Sequence, residues 1–400
     1  MKITTNKLRM ITAILSAAAL TASIGCSGEG KLNLPGPQHY TTVTADGWAL
    51  SVLRYRPKQI NKEKYPVILC HGLSYNSQFW DLDKDVSLAR FLCNAGYDVW
   101  VPSLRGAGWS TKPPISRLRQ LFLRGNLYTT GGVFTSAGKG LLKINWTVDD
   151  HIKYDVPAII SFVCKETKSK KVHWIGHSLG GMILIGYLHT TPQEKRIASF
   201  VALAVPVFAI HPLSKALEQL TQGRVAIELS NAMISTNLPA LIGMIAGKAL
   251  PTPIDMLFYN PANVDYDIIH RLNAWGTEDI SPGQLGQLID MLKKGKFTSI
   301  DGKIDYTAGL GQMRIPAMFC VGTLDNLATV CAVKRLYNQW GAKKKRFLLF
   351  GKVNGYICDY GHDDIIIGRY ARREVFPAIL QWLNALRAER TGAIPWLTKN

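Results

Sequence analysis

The chain has 400 residues, of which 47% are apolar and 19% are charged, and its formal net charge is +19. This composition excludes a disordered or fibrous protein, and the length suits one α/β domain that carries an insertion. The positive charge favours a membrane surface or an acidic partner. Because no nucleic-acid recognition motif accompanies it, we expect no nucleic-acid partner.

The first 25 residues have the pattern of a secretory signal peptide. Lysine and arginine at three of the first nine positions precede an apolar run from Met10 to Leu20. The run is too short to span a bilayer, and small residues follow it. We expect residues 1–25 to be removed on export, and they are left out of the predicted fold.

The end of this segment resembles a bacterial lipobox, in which signal peptidase cuts before a cysteine that then carries lipid. Residues 22–26 read ASIGC, with Ser23 where the pattern prefers leucine. We expect Cys26 to be lipidated and residues 26–37 to form a tether. Ser27 resembles the residue that directs such proteins to the outer membrane of a bacterium, facing the periplasm. An ordinary signal peptide with an incidental cysteine is the alternative.

From residue 40 onward, apolar runs of strand length alternate with segments of helical period, which predicts a mostly parallel sheet with helices on both faces. The alternation lapses at residues 206–300, where prolines break several apolar helical stretches, and this break predicts an inserted helical cap. The core is therefore expected at residues 38–205 and 301–400. Strands are predicted at 41–44, 49–55, 65–70, 97–101, 172–175, 200–205, 317–321 and 347–350, and helices at 87–94, 149–165, 179–189, 328–340 and 375–390.

Two clusters of cations contribute to a basic face that is expected to meet a membrane surface. Arg117, Arg119 and Arg124 stand among apolar residues and predict a short basic amphipathic helix, and residues 343–346 form a second cluster. A basic face that is merely solvated is the alternative. The six cysteines after Cys26 show no metal-type spacing, so we expect no metal and no cofactor.

Residues 176–180 read GHSLG, a Gly-x-Ser-x-Gly pattern that is weak evidence on its own. Here it lies between the strand predicted at 172–175 and the helix predicted at 179–189, which is the setting of a nucleophile elbow. The sharp turn requires both glycines, because a β-carbon beside the serine would clash with the neighbouring strand and helix. Ser178 is therefore the candidate nucleophile, at the positive end of a helix.

A serine hydroxyl needs a base that takes its proton and an acid that orients the base. Asp325 follows the strand predicted at 317–321, and His362 lies beyond the strand predicted at 347–350. Both therefore belong to the carboxyl edge of the sheet, in the chain order Ser, Asp, His. Ser178, Asp325 and His362 form the predicted catalytic triad.

Other acidic residues are weaker candidates for the orienting acid. Three of them precede the strand predicted at 317–321, and two adjoin the histidine and are poorly placed to reach its Nδ1. These five residues are Asp279, Asp301, Asp305, Asp363 and Asp364.

The negative oxygen that forms during acyl transfer must be bound by backbone N–H groups. One is expected from Leu179, directly after the nucleophile. The other is expected from Leu73 in the sequence His71-Gly72-Leu73, which follows the strand predicted at 65–70, with Gly72 leaving room for the substrate. A simple strand-ending turn is the alternative interpretation of this loop.

With these residues located, the chain resembles the gastric and lysosomal acid-lipase family of the α/β-hydrolase fold. The resemblance covers residues 40–205 well and 310–385 more loosely, and it places the triad and the oxyanion donors on the five residues named above. It departs from the family at Leu179, where the family has glutamine, and in the cap, which shows no clear match. The motifs are 71–73 (HGL), 94–100 (NAGYDVW), 105–106 (RG), 146–150 (WTVDD), 153–158 (KYDVPA) and the elbow.

The expected protein is thus an exported, lipid-anchored serine hydrolase with an inserted helical cap, and it cleaves esters that have an apolar acyl part. His362 would act as base, Asp325 would orient it, and an acyl-enzyme would form on Ser178. An acyltransferase or polyester-processing enzyme would use the same triad. A membrane-tethered binding protein without activity is the third alternative.

Overall fold

The structure, a computed structural model, describes residues 36–112, 133–134, 141–142, 145–192, 194–208 and 255–391. The predicted signal peptide, Cys26, the basic segment 117–124 and the cap residues 209–254 lie outside the described residues. In the part of the chain that is described, no helix combines the length and the apolar character needed to cross a membrane.

An eight-stranded sheet forms the centre of the domain, in the order β1-β2-β4-β3-β5-β6-β7-β8. The pairs β1–β2 and β2–β4 are antiparallel, and all other neighbours are parallel. The predicted mostly parallel sheet is therefore confirmed. The strands are β1 Gln38–Val43, β2 Ala49–Tyr55, β3 Val67–Cys70, β4 Val99–Pro102, β5 Val172–His177, β6 Ile197–Leu203, β7 Ala317–Gly322 and β8 Lys345–Phe350.

The helices begin at residues whose side chains accept hydrogen bonds from otherwise free backbone N–H groups. Ser87 caps the first helix, Ser281 and Gln284 form a capping box, and Thr329 caps the helix before β8. The helices are α1 Leu88–Asn94, α2 Val148–Asp150, α3 Val156–Thr167, α4 Leu179–Thr190, α5 Asp255–Phe258, α6 Tyr266–Arg271, α7 Pro282–Lys294, α8 Val330–Gln339, α9 Asp364–Ile367 and α10 Ala371–Thr391.

Short turns of helix connect some of these elements. A π-helical turn at His151–Asp155 joins α2 to α3, so the helix predicted at 149–165 is continuous but locally widened. A second π-helical turn follows α6 at Leu272–Gly276. Turns of 3₁₀ helix lie at Ser77–Trp80, Pro261–Asn263, Leu310–Gln312 and Lys352–Asn354, and a short antiparallel ladder pairs Val133–Phe134 with Leu141–Leu142.

The sheet separates two hydrophobic clusters, one on each face. The four residues of β3 are fully buried, and they alternate between the clusters: Ile68 and Cys70 belong to one, and Val67 and Leu69 belong to the other. This alternation follows from the two-residue period of a strand. Burying such side chains stabilises the fold by about 1.5–3 kcal/mol each relative to exposure, which explains the uninterrupted apolar run in the sequence.

A buried ionic cluster fixes the loops at one end of the sheet. The Arg105 guanidinium is fully buried and donates to Asp155 from Nε at 2.9 Å and from Nη2 at 2.7 Å. Its Nη1 donates to Asp46 at 2.7 Å, and His151 Nδ1 lies 2.7 Å from Asp155 Oδ2. Burial alone would raise the pKa of Asp155, but the charge of Arg105 and the hydrogen bond to His151 bring it below the ordinary value.

Asp155→Asn should destabilise the protein by about 3 kcal/mol, because it leaves the Arg105 charge buried without a full partner. Urea unfolding followed by far-UV circular dichroism measures this loss. The matched control is Asp85→Asn, an exposed carboxylate with one loose ion pair to Lys84 at 3.8 Å, and its unfolding curve should coincide with that of the wild type. Equal stability of all three proteins would contradict the role given to this cluster.

Candidate active site

The turn that carries Ser178 is strained and tightly packed. Ser178 lies between the end of β5 and the start of α4 with φ 50° and ψ −118°, a backbone conformation that non-glycine residues rarely adopt. A β-carbon on Gly176 would lie 2.5 Å from the backbone of Gly180 and Gly181, and one on Gly180 would overlap the carbonyl oxygen of Cys70 in β3. The predicted reason for both glycines is therefore correct.

His362 and Asp325 meet as a hydrogen-bonded pair at the carboxyl edge of the sheet. His362 Nδ1 lies 3.0 Å from Asp325 Oδ2 and 3.1 Å from Oδ1, and both side chains are buried. Asp325 Oδ1 also accepts from the backbone N–H groups of Leu327 at 2.9 Å and Ala328 at 2.7 Å, so its orientation is fixed. Burial opposes the charged imidazole, but the neighbouring Asp325 carboxylate raises the pKa of His362 above its ordinary value.

The residue before the nucleophile joins Ser178 to this pair. His177 Nε2 lies 3.0 Å from the carbonyl oxygen of His362, and the two imidazole rings are 4.8 Å apart. Burial holds the pKa of His177 well below its ordinary value, so its ring is neutral. The structure thus brings Ser178, Asp325 and His362 to one edge of the sheet, as the strand ends predicted. Two of the other acidic candidates have different partners, since Asp301 accepts from Ser299 Oγ and Asp305 accepts from Thr307 Oγ1.

His71 holds the loop that carries the expected oxyanion donor. Leu104 N–H donates to His71 Nε2 at 3.0 Å, so the ring proton is on Nδ1, which donates to the carbonyl oxygen of Gly72 at 2.8 Å. That carbonyl and the N–H of Leu73 belong to the same trans peptide and point in opposite directions. Fixing the carbonyl therefore turns the Leu73 N–H away from His71. Burial lowers the pKa of His71 to about 4, which keeps this arrangement at neutral pH.

Leu179 supplies the second backbone donor expected at this site. It is the first residue of α4, and the N–H groups of a helix's first turn have no acceptor within the helix. Gly72 allows the loop to approach the elbow closely, because a β-carbon there would lie 2.9 Å from His177 Nδ1 and 3.2 Å from Ser178 Cβ. That Gly72 also leaves room for the substrate stays a prediction.

Asp363 is a buried carboxyl that connects three parts of the site, and sequence reasoning treated it only as an unsuitable partner for His362. Its Oδ2 accepts from Tyr75 Oη at 2.6 Å, and its Oδ1 lies 3.7 Å from His177 Nε2 without a hydrogen bond to any described residue. Burial raises the pKa of Asp363 to about 7. The three isoleucines that follow in α9 were a signal that this segment is buried.

His177, His362 and Asp363 also offer possible metal ligands within 4.8 Å of one another. His362 Nδ1 faces Asp325, and His177 Nε2 faces a backbone carbonyl. Each imidazole therefore has one nitrogen committed to a hydrogen bond and a second nitrogen that is not.

A small cavity opens beside the oxyanion loop. Its walls combine apolar side chains with polar ones, and its polar side includes residues from the described part of the predicted cap. One of these, Gln284, has its Nε2 2.7 Å from His151 Nε2, which links α7 to the buried ionic cluster. The lining residues are His71, Gly72, Leu73, Ser74, Tyr75, Leu104, Arg105, Gly106, Ala107, His151, Leu179, Glu278, Asp279 and Gln284.

Comparison with known proteins agrees with this architecture. Residues 65–226 match the family model described as alpha/beta hydrolase fold. The chain is 34% identical over 190 residues to gastric triacylglycerol lipase of Rattus norvegicus, a match that covers 46% of this chain and 43% of that protein. It is 26% identical over 367 residues to tear acid lipase-like protein of Mesocricetus auratus, covering 84% of each. It is 32% identical over 262 residues to human lipase member J, covering 60% of this chain and 66% of that protein.

Two solved structures share the fold at low sequence identity. A thermophilic esterase from Thermogutta terrifontis has a TM-score of 0.52 and 16% identity, covering 88% of this chain and 99% of that one. A monoacylglycerol lipase from Paleococcus ferrophilus has a TM-score of 0.50 and 19% identity, covering 84% and 99%. The match to the rat gastric lipase spans less than half of that enzyme's length.

The buried Asp363 predicts a pH dependence of stability. A carboxyl in an unfolded chain ionises at a pH of about 3.9, whereas the pKa of Asp363 in the folded protein is about 7. Ionisation of Asp363 is therefore unfavourable only in the folded state. The wild type loses stability as the pH rises from about 4 to about 7. The free energy of unfolding of Asp363→Asn, measured relative to wild type by urea titration, should increase from about pH 4 to about pH 7 and then level off. A difference that does not change with pH would contradict the assignment.

Proposed function

We propose that this chain, which has the α/β-hydrolase fold and resembles the acid lipases, is a serine hydrolase of carboxylic esters that is exported and anchored by lipid. One observation is the main support for the proposed activity. His362 is hydrogen-bonded to Asp325 at 3.0 Å, next to the strained turn that presents Ser178. A base with a fixed orienting acid beside a serine is the arrangement that nucleophilic acyl transfer needs.

In the proposed reaction, Ser178 Oγ attacks the ester carbonyl and His362 Nε2 takes its proton. Because Nδ1 is bound to Asp325, the imidazolium that forms is oriented and stabilised by that carboxylate. The N–H groups of Leu73 and Leu179 bind the oxygen of the tetrahedral intermediate. The alcohol leaves with the proton from His362, and water then releases the acid from the acyl-enzyme.

The cavity beside the oxyanion loop supports an ester with an apolar acyl part as the substrate. Leu73, Leu104 and Leu179 supply apolar lining close to the two proposed oxyanion donors, whereas Glu278 and Gln284 make the cap side polar. An ester of this class likewise has an apolar part, the acyl chain, and a polar part, the alcohol. The relatives named as lipases support this substrate class.

The proposed location rests on the first 26 residues. Their cationic start, short apolar run and cysteine at position 26 support export and lipid attachment. The serine at position 27 supports placement at the outer membrane of a bacterium, on the periplasmic side. The membrane surface is accordingly the proposed macromolecular partner, together with the ester substrate.

Ser178→Ala should abolish ester hydrolysis, with a loss of kcat of about 10⁴-fold or more, because the acyl-enzyme has no other attachment point. The measurement is p-nitrophenyl ester hydrolysis over a range of acyl-chain lengths. Ser161→Ala, an exposed serine on α3, is the matched control and should keep full activity. Wild-type protein that hydrolyses no ester in the range, or a Ser178→Ala variant that stays active, would overturn the proposal.

His71→Ala should lower kcat by about 10²-fold with little change in KM, because one oxyanion donor loses its fixed direction and this donor acts mainly in the transition state. His173→Ala is the control, since His173 is another buried histidine but lies within β5, away from the carboxyl edge. It should cost stability without the same loss of kcat. If both variants lose activity only in proportion to their loss of folded protein, His71 has no special role.

A further inference from the structure

We propose that the edge of the sheet opposite the active site docks on an anionic phospholipid surface, so that the active site is held facing away from that surface. This docking proposal rests on the proposed function, because the lipid anchor is what attaches the protein to the membrane. The choice of face follows from the fold. The partner is the lipid headgroup layer itself, and no protein partner is required.

The direction of the strands separates the active site from this opposite edge. Ser178 follows the carboxyl end of β5, Asp325 follows β7 and His362 lies beyond β8. Because these strands are parallel, their amino ends all lie at the other edge of the sheet. Strands of six residues place the two edges about 20 Å apart.

Cations collect at the amino ends of five parallel strands, and we call this set the basic edge. Every member except the half-buried Lys171 is exposed, and none has a carboxylate within ion-pair distance among the described residues. The basic edge consists of Lys62 before β3, Lys168, Lys170 and Lys171 before β5, Lys195 before β6, Arg314 before β7, and Lys343 and Arg346 at the start of β8.

The acidic residues near these strand ends are mostly neutralised by other cations. Glu63 pairs with Arg387 at 3.2 Å and Glu194 with Arg196 at 2.7 Å, and Glu389 pairs with a further lysine. Glu166 is exposed at the same edge. The basic edge therefore keeps a strong positive excess across the sheet from β3 to β8, a span of about 19 Å at the usual strand spacing.

The chain enters the domain at this same edge. Gln38, the first residue of β1, pairs with Arg54 of β2, and Arg54 pairs with Trp100 near the amino end of β4. The residues that precede Gln38 therefore join the domain on the side of the basic edge. Twelve residues from Cys26 to the start of β1 reach at most about 40 Å, so lipid on Cys26 would keep the domain near the membrane and would leave its orientation to the basic edge.

An anionic bilayer fits these observations because the cations are spread over a broad edge and do not converge on a pocket. Each lysine or arginine close to an anionic membrane gains from its surface potential, and this gain fades within a Debye length. The anchor supplies the proximity, and the basic edge supplies the orientation. Ester substrate would then reach the enzyme from the aqueous side or from a facing surface, not from the leaflet that holds the anchor.

The test measures which edge contacts lipid, using the full chain reconstituted in vesicles that contain a lipid-borne quencher. Lys195→Cys places a fluorophore at the basic edge, and Val353→Cys places one in the exposed turn after β8. Both are made with Cys331→Ser, which removes the exposed cysteine. In phosphatidylcholine vesicles with about one-third phosphatidylglycerol, quenching at position 195 should be several-fold stronger than at position 353.

Charge variants separate docking from simple tethering. Replacing Lys168, Lys170 and Lys171 by glutamine should remove most of the difference in quenching, and so should vesicles of phosphatidylcholine alone. The matched control replaces three exposed lysines away from the basic edge by glutamine and should leave the difference intact. These control positions are Lys153, Lys293 and Lys303.

Equal quenching at the two positions, stronger quenching at position 353, or no effect of the basic-edge variant would overturn the docking proposal. Mass spectrometry of the same preparation shows whether Cys26 carries lipid, and ester hydrolysis shows whether the enzyme is active. Absence of lipid or of activity would contradict the proposed function. When Cys26 carries lipid but the enzyme is inactive, the comparison of the two fluorophore positions still reports on the docking face.

Discussion

The close packing of the Ser178 turn against the loop at residues 71–73 is the constraint on which the site depends. Gly180 lies against the carbonyl oxygens of Cys70 and His71, and Gly72 lies against His177 and Ser178. Neither segment accommodates a larger side chain at these points. The strained backbone of Ser178 is thus held by its neighbours, which is how a turn of this kind persists in a folded protein.

That packing sets the geometry of every other group. The hydrogen bond from His71 to Gly72 turns the Leu73 N–H, and the contact between His177 and His362 joins the elbow to the His–Asp pair. Asp363 then ties the oxyanion loop to the same region through Tyr75. The contacts of His177 and Tyr75 come from distant parts of the sequence, so they hold the loops at the carboxyl edge to one another.

Much of this could be predicted from the sequence. The strands before Ser178 and Asp325 are apolar runs, because a parallel sheet is buried on both faces, and these two candidates follow closely after such runs. His362 lies further along, between the strand predicted at 347–350 and the last predicted helix. The pairing of His362 with Asp325 was predicted from the chain order Ser, Asp, His and from the position of each residue after a strand. The acid-lipase resemblance agreed with the residues chosen on those grounds.

The remaining features depend on contacts across long sequence separations, which a pattern does not contain. Tyr75 and Asp363 are 288 residues apart, and no periodicity relates them. The buried ion pair of Asp155 with Arg105 is another such contact. Each of these residues taken alone is of a charged type that is usually found at the surface. The contact of Gly72 with the elbow is a third example, because the sequence does not show that His177 and Ser178 lie against this glycine.

The most direct test of the central claim is identification of the residue that a fluorophosphonate modifies in the folded wild-type protein. The protein is labelled at neutral pH, digested and analysed by peptide mass spectrometry, with urea-unfolded protein labelled in parallel. We expect one phosphonylated residue, Ser178, and no labelling after unfolding, because the serine is reactive only when His362 and Asp325 are in place. Labelling at a different residue, or no labelling of the folded protein, would contradict it.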